Sequence, residues 1–92
     1  MQYEWDRVKD VINRRKHGLP LSDGIPALED PKADSWFDLR DDYGEERMLT
    51  LGLSPRGVLF VVSTLRELGV TRIISVRRAK GYEIEQYGQS RA

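Results

Sequence analysis

Ninety-two residues with 15 acidic and 15 basic side chains, 39% hydrophobic content and no cysteine describe one folded domain, residues 1–92, able to bury roughly 60 to 65% of the surface its unfolded chain exposes. Without cysteine there is no disulfide framework and no thiolate metal site, and a single histidine argues against zinc. The longest apolar run, Val58 to Val62, is too short to cross a bilayer, and Met1-Gln2-Tyr3-Glu4-Trp5-Asp6 carries neither a basic leader nor an apolar core, so a cytoplasmic protein without membrane association is expected.

The zero net charge hides a partition. Residues 23–46 carry nine acids and two bases, whereas residues 56–80 carry six bases and one acid. A basic half beside an acidic half suits a polyanion on one surface, or mutual neutralisation within the fold.

Tyr3 and Trp5 alternate with polar neighbours and predict a short first strand leading into a helix. Asp6 is its expected N-cap. Trp5, Val8, Val11, Ile12 and the stem of Arg15 fall on one side at helical spacing, with Asp6, Lys9, Asn13, Lys16 and His17 on a flanking stripe. Arg14-Arg15-Lys16-His17 suits the negative end of the helix dipole, Gly18 supplies a left-handed residue and Pro20 blocks continuation. Leu21 to Glu29 reads as a second, shorter helix capped by Ser22, packing Leu21, Ile25 and Leu28 inward and weakened by Gly24 and Pro26. Asp30-Pro31 marks its exit. Residues 32–44 read as an acidic loop, with Asp34, Asp38, Asp41 and Asp42 around Trp36-Phe37. Its aspartates have no ligand spacing that would hold a divalent metal.

After Gly44 the period becomes alternating. Ser54-Pro55-Arg56-Gly57 has the residues of a tight turn, joining a strand at 46–53 to one at 58–65. A second reversal at Arg66 to Val70 leads into Arg72-Ile73-Ile74-Ser75-Val76-Arg77-Arg78-Ala79. A straight strand there puts Arg72, Ile74, Val76 and Arg78 on one face and Ile73, Ser75 and Arg77 on the other. Three strands with short connections predict an antiparallel meander. From Ala79 the chain turns helical, with Ala79, Glu83 and Tyr87 on one side, and Gly88 to Ala92 reads as a frayed terminus. The fold class is therefore α+β, with N-terminal helices packed on a small antiparallel sheet and a C-terminal helix.

Trp5-Asp6 with Lys9, Asn13 and Lys16-His17-Gly18, then Asp30-Pro31, Gly44-Glu45-Glu46-Arg47, Leu51-Gly52-Leu53-Ser54, Thr64, Arg66, Arg72-Ile73-Ile74-Ser75, Arg77-Arg78-Ala79, Glu83 and Tyr87 occur in an order and spacing that resembles the BrnT family of bacterial type II toxins, within the wider RelE-like ribonuclease superfamily. Four features depart from the family pattern, one being that Pro26 interrupts the second helix. The turn between Thr64 and Arg72 is one residue longer, Leu65 stands where an acid is common, and the last helix has fewer basic residues.

The resemblance implies a RelE-like fold and a metal-independent endoribonuclease that needs no cofactor and cleaves messenger RNA, inhibiting translation and growth. It also implies a hetero-oligomer with a cognate antitoxin of ribbon-helix-helix type, through which operator DNA is contacted only indirectly. Attack of an RNA 2′-hydroxyl on the adjacent phosphate needs proton removal, stabilisation of the phosphorane and protonation of the leaving 5′-oxygen. His17 and Glu46 are candidates for proton transfer, and Lys9, Arg66, Arg72, Arg77 and Arg78 for phosphate charge. Lys16, Arg47, Thr64, Lys80 and Tyr87 are candidate RNA-binding residues. In the competing reading the chain is a weakly active or non-catalytic module that holds its antitoxin and acts in autoregulation of its operon.

Overall fold

The computed structural model describes residues 2–40, 44–67 and 69–89. Asp41 and Asp42 of the expected acidic loop and Ser90 to Ala92 of the expected frayed end lie outside the described residues. The chain forms β1 (Gln2–Glu4), α1 (Arg7–His17), a 3-10 turn (Leu21–Asp23), α2 (Gly24–Glu29), β2 (Asp34–Phe37), β3 (Met48–Ser54), β4 (Gly57–Glu67), β5 (Val70–Arg78) and α3 (Gly81–Gln89). The strands make one sheet in the order β1-β5-β4-β3-β2.

The α+β class holds, but the sheet is mixed rather than an antiparallel meander alone. β3, β4 and β5 do form that meander, while β1 joins the open side of β5 in parallel, Gln2 to Glu4 facing Val70 to Arg72. A parallel partner needs a long connection, and here almost the whole domain supplies it. The expected loop at 32–44 contains β2, antiparallel to β3. Trp36 alternates onto one face, where its ring meets Phe60 edge-on at 6.3 Å, and the Ser35 and Thr50 hydroxyls hydrogen-bond across the pair at 2.8 Å. Those cross-strand contacts outweigh the low strand preference of the surrounding acids.

Both ends of α1 are as expected. The Asp6 carboxylate accepts the Lys9 N–H at 3.0 Å, and Gly18, at φ 73°, donates its N–H to the Arg14 carbonyl. Its aliphatic side faces outward. Val8, Val11 and Ile12 are 65, 47 and 55% exposed, and the buried residue is Asn13, at 4%. The cause lies in β5. β1 pairs only with Val70 to Arg72, so the edge of β5 beyond them lacks a strand neighbour. Asn13 fills that place: its side-chain oxygen accepts the Val76 N–H at 3.0 Å, and its amide donates to the Val76 and Leu19 carbonyls, both at 2.8 Å. One amide satisfies backbone groups that would otherwise be buried without partners.

The core is built from Leu19, Leu21, Ala27, Leu59, Val61, Ile73 and Val76, with Tyr3, Trp5, Ile25 and Leu28 packed against it. Pro26 does not break the second helix, because α2 begins at Gly24 and a proline in the first turn forfeits no intrahelical bond. Ser22 is not its cap; it sits inside the 3-10 turn. Gly52 of β3 lies directly beneath α2, where a Cβ would come within 2.0 Å of the Ala27 carbonyl oxygen.

β5 is not straight. Its pairing with β4 runs Thr64 to Arg72 and Ser63 to Ile73, then jumps to Val62 with Ser75 and Val61 with Val76, leaving Ile74 as an extra residue. The bulge reverses the facing of everything after it. Ile73 and Val76, three apart, are therefore both fully buried against the helices. Arg72, Ser75 and Arg77 share the opposite face, and Arg78, paired with Leu59, turns to the side of α1. Straight alternation had set Arg77 apart from Arg72 and joined Arg72 to Arg78. α3 meets that opposite face where Glu83 accepts from Arg77 and runs to Gln89, past the Gly88 where fraying was expected. Ala79 precedes it, donating its N–H to Val58.

Candidate nucleic-acid site

Where α1 passes the bulge, Lys9, Ile12, Asn13, Lys16, His17, Ile74 and Ser75 line a cavity of about 180 Å³. The helix contributes residues at i, i+3, i+4, i+7 and i+8, which share one side, and the strand contributes the bulged residue and the one after it. Burial, then the charge of Lys16, then that of Arg77 lower the His17 pKa below its ordinary 6.5. The imidazole is thus neutral at pH 7 and able to take a proton.

Arg77 stands beside this cavity on the far face of the sheet. Its guanidinium donates to both Glu83 carboxylate oxygens, at 2.7 and 2.9 Å, and lies 4.1 Å from the centre of the Phe60 ring. The Arg77 guanidinium holds the buried Glu83 carboxyl below its ordinary range. Glu83 also accepts the Lys80 N–H at 2.8 Å, so one carboxylate anchors both the arginine and the start of α3. Arg78 reaches the His17 carbonyl with a long contact of 3.5 Å, and the Lys80 side chain is exposed.

The other sequence-selected residues gather elsewhere. Arg72 donates to Glu4 at 2.7 Å, and Arg66 lies 3.9 Å from the same oxygen and 3.7 Å from Glu45. Arg47 is 3.6 Å from Glu45. Thr64 is buried, donating its hydroxyl to the Glu46 carbonyl at 2.6 Å. Glu46 and Thr64 line a larger, open groove of about 520 Å³ with Phe37, Glu45, Met48 and Leu65. Tyr87 donates its hydroxyl to Asp30, whose carboxylate also receives the Leu53 N–H.

The structure therefore brings Lys9, Lys16 and His17 together with Arg77 close by, and places Glu46, Arg47, Thr64, Arg66 and Arg72 in a second, acid-paired group. Asn13, Ser75 and Phe60 were not selected as site residues. The signal for Ser75 was the adjacent pair Ile73-Ile74, which a straight half-buried strand cannot accommodate on one face. Among the described residues, no group of three or more His, Asp or Glu side chains is arranged to hold a metal ion, and no helix is long and apolar enough to cross a membrane.

A family model for the ribonuclease toxin BrnT of type II toxin-antitoxin systems matches residues 5–83. A search of curated proteins gave no match. Among solved structures, a 1.1 Å crystal structure of the Brucella abortus ribonuclease toxin BrnT is similar in fold, with a TM-score of 0.68 and 24% identity over 87% of this chain and 97% of that one. The family match spans both α1 and β5, the two elements that form the cavity, and on that match the chain belongs to the BrnT family of ribonuclease toxins of type II toxin-antitoxin systems.

Proposed function

We propose that this chain is a RelE-like, metal-independent endoribonuclease that cuts messenger RNA, inhibits translation and growth, and is silenced by an antitoxin of ribbon-helix-helix type. The observation that carries the reading is the α1–β5 cavity, in which a histidine kept neutral by burial and then by two neighbouring cations faces lysines suited to phosphate. Neutral His17 takes the proton from a ribose 2′-hydroxyl as its oxygen attacks phosphorus. Lys9, Lys16 and Arg77 offset the charge that gathers on the phosphorane, and a lysine ammonium protonates the departing 5′-oxygen. The bond to that oxygen breaks, leaving a 2′,3′-cyclic phosphate and a 5′-hydroxyl. Arg66 and Arg72 hold RNA phosphates farther along the sheet, exchanging Glu4 and Glu45 for the ligand.

The test is cleavage of single-stranded RNA in EDTA by purified protein. His17→Ala is expected to slow it by about 10² to 10⁴, and a 2′-deoxy substitution at the scissile position to abolish it. Cleavage that needs added magnesium, or that His17→Ala leaves unchanged, overturns the reading. The carboxylate grips on Arg72 and Arg77 favour one competitor, a weakly active module that mainly binds antitoxin. Induction of the gene alone separates the two: growth arrest supports the nuclease, normal growth with folded protein the module.

A further inference from the structure

The outward side of α1 takes no part in the core, and of its aliphatic residues Ile12 also borders the α1–β5 cavity. Val8, Val11 and Ile12, at i, i+3 and i+4, form an aliphatic stripe that is about half exposed or more, continued by the stem of Arg15 one turn on. It points away from Asn13, the buried anchor of the helix. Basic residues flank it on both sides, Lys9 and Lys16 along one margin and Arg7 and Arg14 along the other. The helix has one acid, Asp10, and that side chain is turned inward, accepting the Leu21 N–H at 2.8 Å and pairing with Arg14 at 3.2 Å. An aliphatic strip with cationic margins and no outward anion is complementary to an amphipathic segment with an apolar face and acidic edges. RNA fits it less well, because three aliphatic side chains offer bases nothing to stack upon.

We propose that the exposed face of α1 is the docking surface for an acidic, amphipathic segment of the antitoxin. The inference rests on the toxin reading in one respect, that such a partner exists. Its consequence is regulatory. Ile12 of the stripe and Lys9 and Lys16 of its margin also line the α1–β5 cavity, so a segment seated on the stripe covers the cavity mouth and neutralises two of its cations. Silencing then needs no change of conformation in the toxin.

The experiment titrates the purified chain with the protein encoded by the adjacent reading frame, by calorimetry at low and high salt. Val8→Ser/Val11→Ser alters exposed side chains outside the cavity. It is expected to weaken binding about ten- to one hundred-fold, with RNA cleavage by the free protein unchanged. Arg7→Glu, which places an acid in the first turn where the helix tolerates it, is expected to weaken binding most at low salt. Circular dichroism checks that each variant is folded. Unchanged affinity in both folded variants overturns the proposal, as does a loss of RNA cleavage with antitoxin affinity intact, which would assign the face to RNA. Because calorimetry reads binding directly, the docking surface stands or falls separately from the nuclease mechanism.

Discussion

Replacing Asn13 with alanine removes a side chain that substitutes for a missing strand beside β5. Three hydrogen bonds are lost, to the Val76 N–H, the Val76 carbonyl and the Leu19 carbonyl, in a place where Asn13 is 4% and Val76 0% exposed. A buried polar group left without a partner costs about 1 to 3 kcal/mol. Allowing for relaxation at one of the three, the loss is about 2 to 6 kcal/mol, a large share of the roughly 5 to 14 kcal/mol expected for a chain of this length. Urea denaturation followed by tryptophan fluorescence measures it directly. A loss below about 1 kcal/mol would mean that water satisfies the strand edge and that Asn13 is not its partner. Asn13→Asp sharpens the test. Its buried carboxylate keeps the acceptor for Val76 but faces two carbonyl oxygens with no proton, so this variant should gain stability on mild acidification, while the parent protein does not.

Gly52→Ala drives a methyl group to 2.0 Å from the Ala27 carbonyl oxygen; α2 must lift from β3, and thermal melting should show a loss of about 1 to 3 kcal/mol or more. Glu83 has its folded pKa depressed from 4.5, mainly by the Arg77 hydrogen bonds. Its contribution to stability is therefore complete above that value and lost as pH falls through the lower folded one; Glu83→Gln should flatten the acid side of the stability profile, and an unaltered profile would refute the assignment. For His17 the folded pKa is also lowered, so cleavage that uses it as a base should rise with pH along a limb centred below 6.5. Lys16→Met, which removes one of the two neighbouring charges, should move that limb upward, and a limb that stays in place would show that Lys16 does not tune the imidazole.

Local signals read directly from the chain were those in which neighbouring residues act on one another. Asp6, Gly18 and Pro20 bound α1, and Ser54-Pro55-Arg56-Gly57 joins β3 to β4, with Ser54 Oγ donating to the Gly57 carbonyl at 2.9 Å. What failed depended on partners distant in sequence. Periodicity groups the aliphatic side of α1 without saying which way it faces; the open edge of β5 settles that by selecting Asn13, 63 residues away from Val76. The facing of Arg77 failed for a related reason: one extra residue at Ile74 inverts the alternation, and a periodic reading contains no bulge. β2 was hidden because half of its short span is Asp34 and Ser35, whose place in a strand is secured by Thr50 and Leu51 of β3. For the site, residue types were legible and their grouping was not, since Arg66 and Arg72 are joined by Glu4 rather than by His17.

The parallel pairing of β1 with β5 sets when the molecule can act during its own synthesis. Glu4 and Arg72 meet across 68 residues, and the α1–β5 cavity likewise combines Lys9, Lys16 and His17 with Ile74 and Ser75 from far along the chain. Contacts of such long range close late, after the locally connected β3–β4 hairpin has formed. A ribosome making this chain therefore carries only the basic helix of the site for most of translation, and the second wall exists only once β5 has been added. A chain that ends before that segment lacks Ile74 and Ser75 and therefore one wall of the cavity.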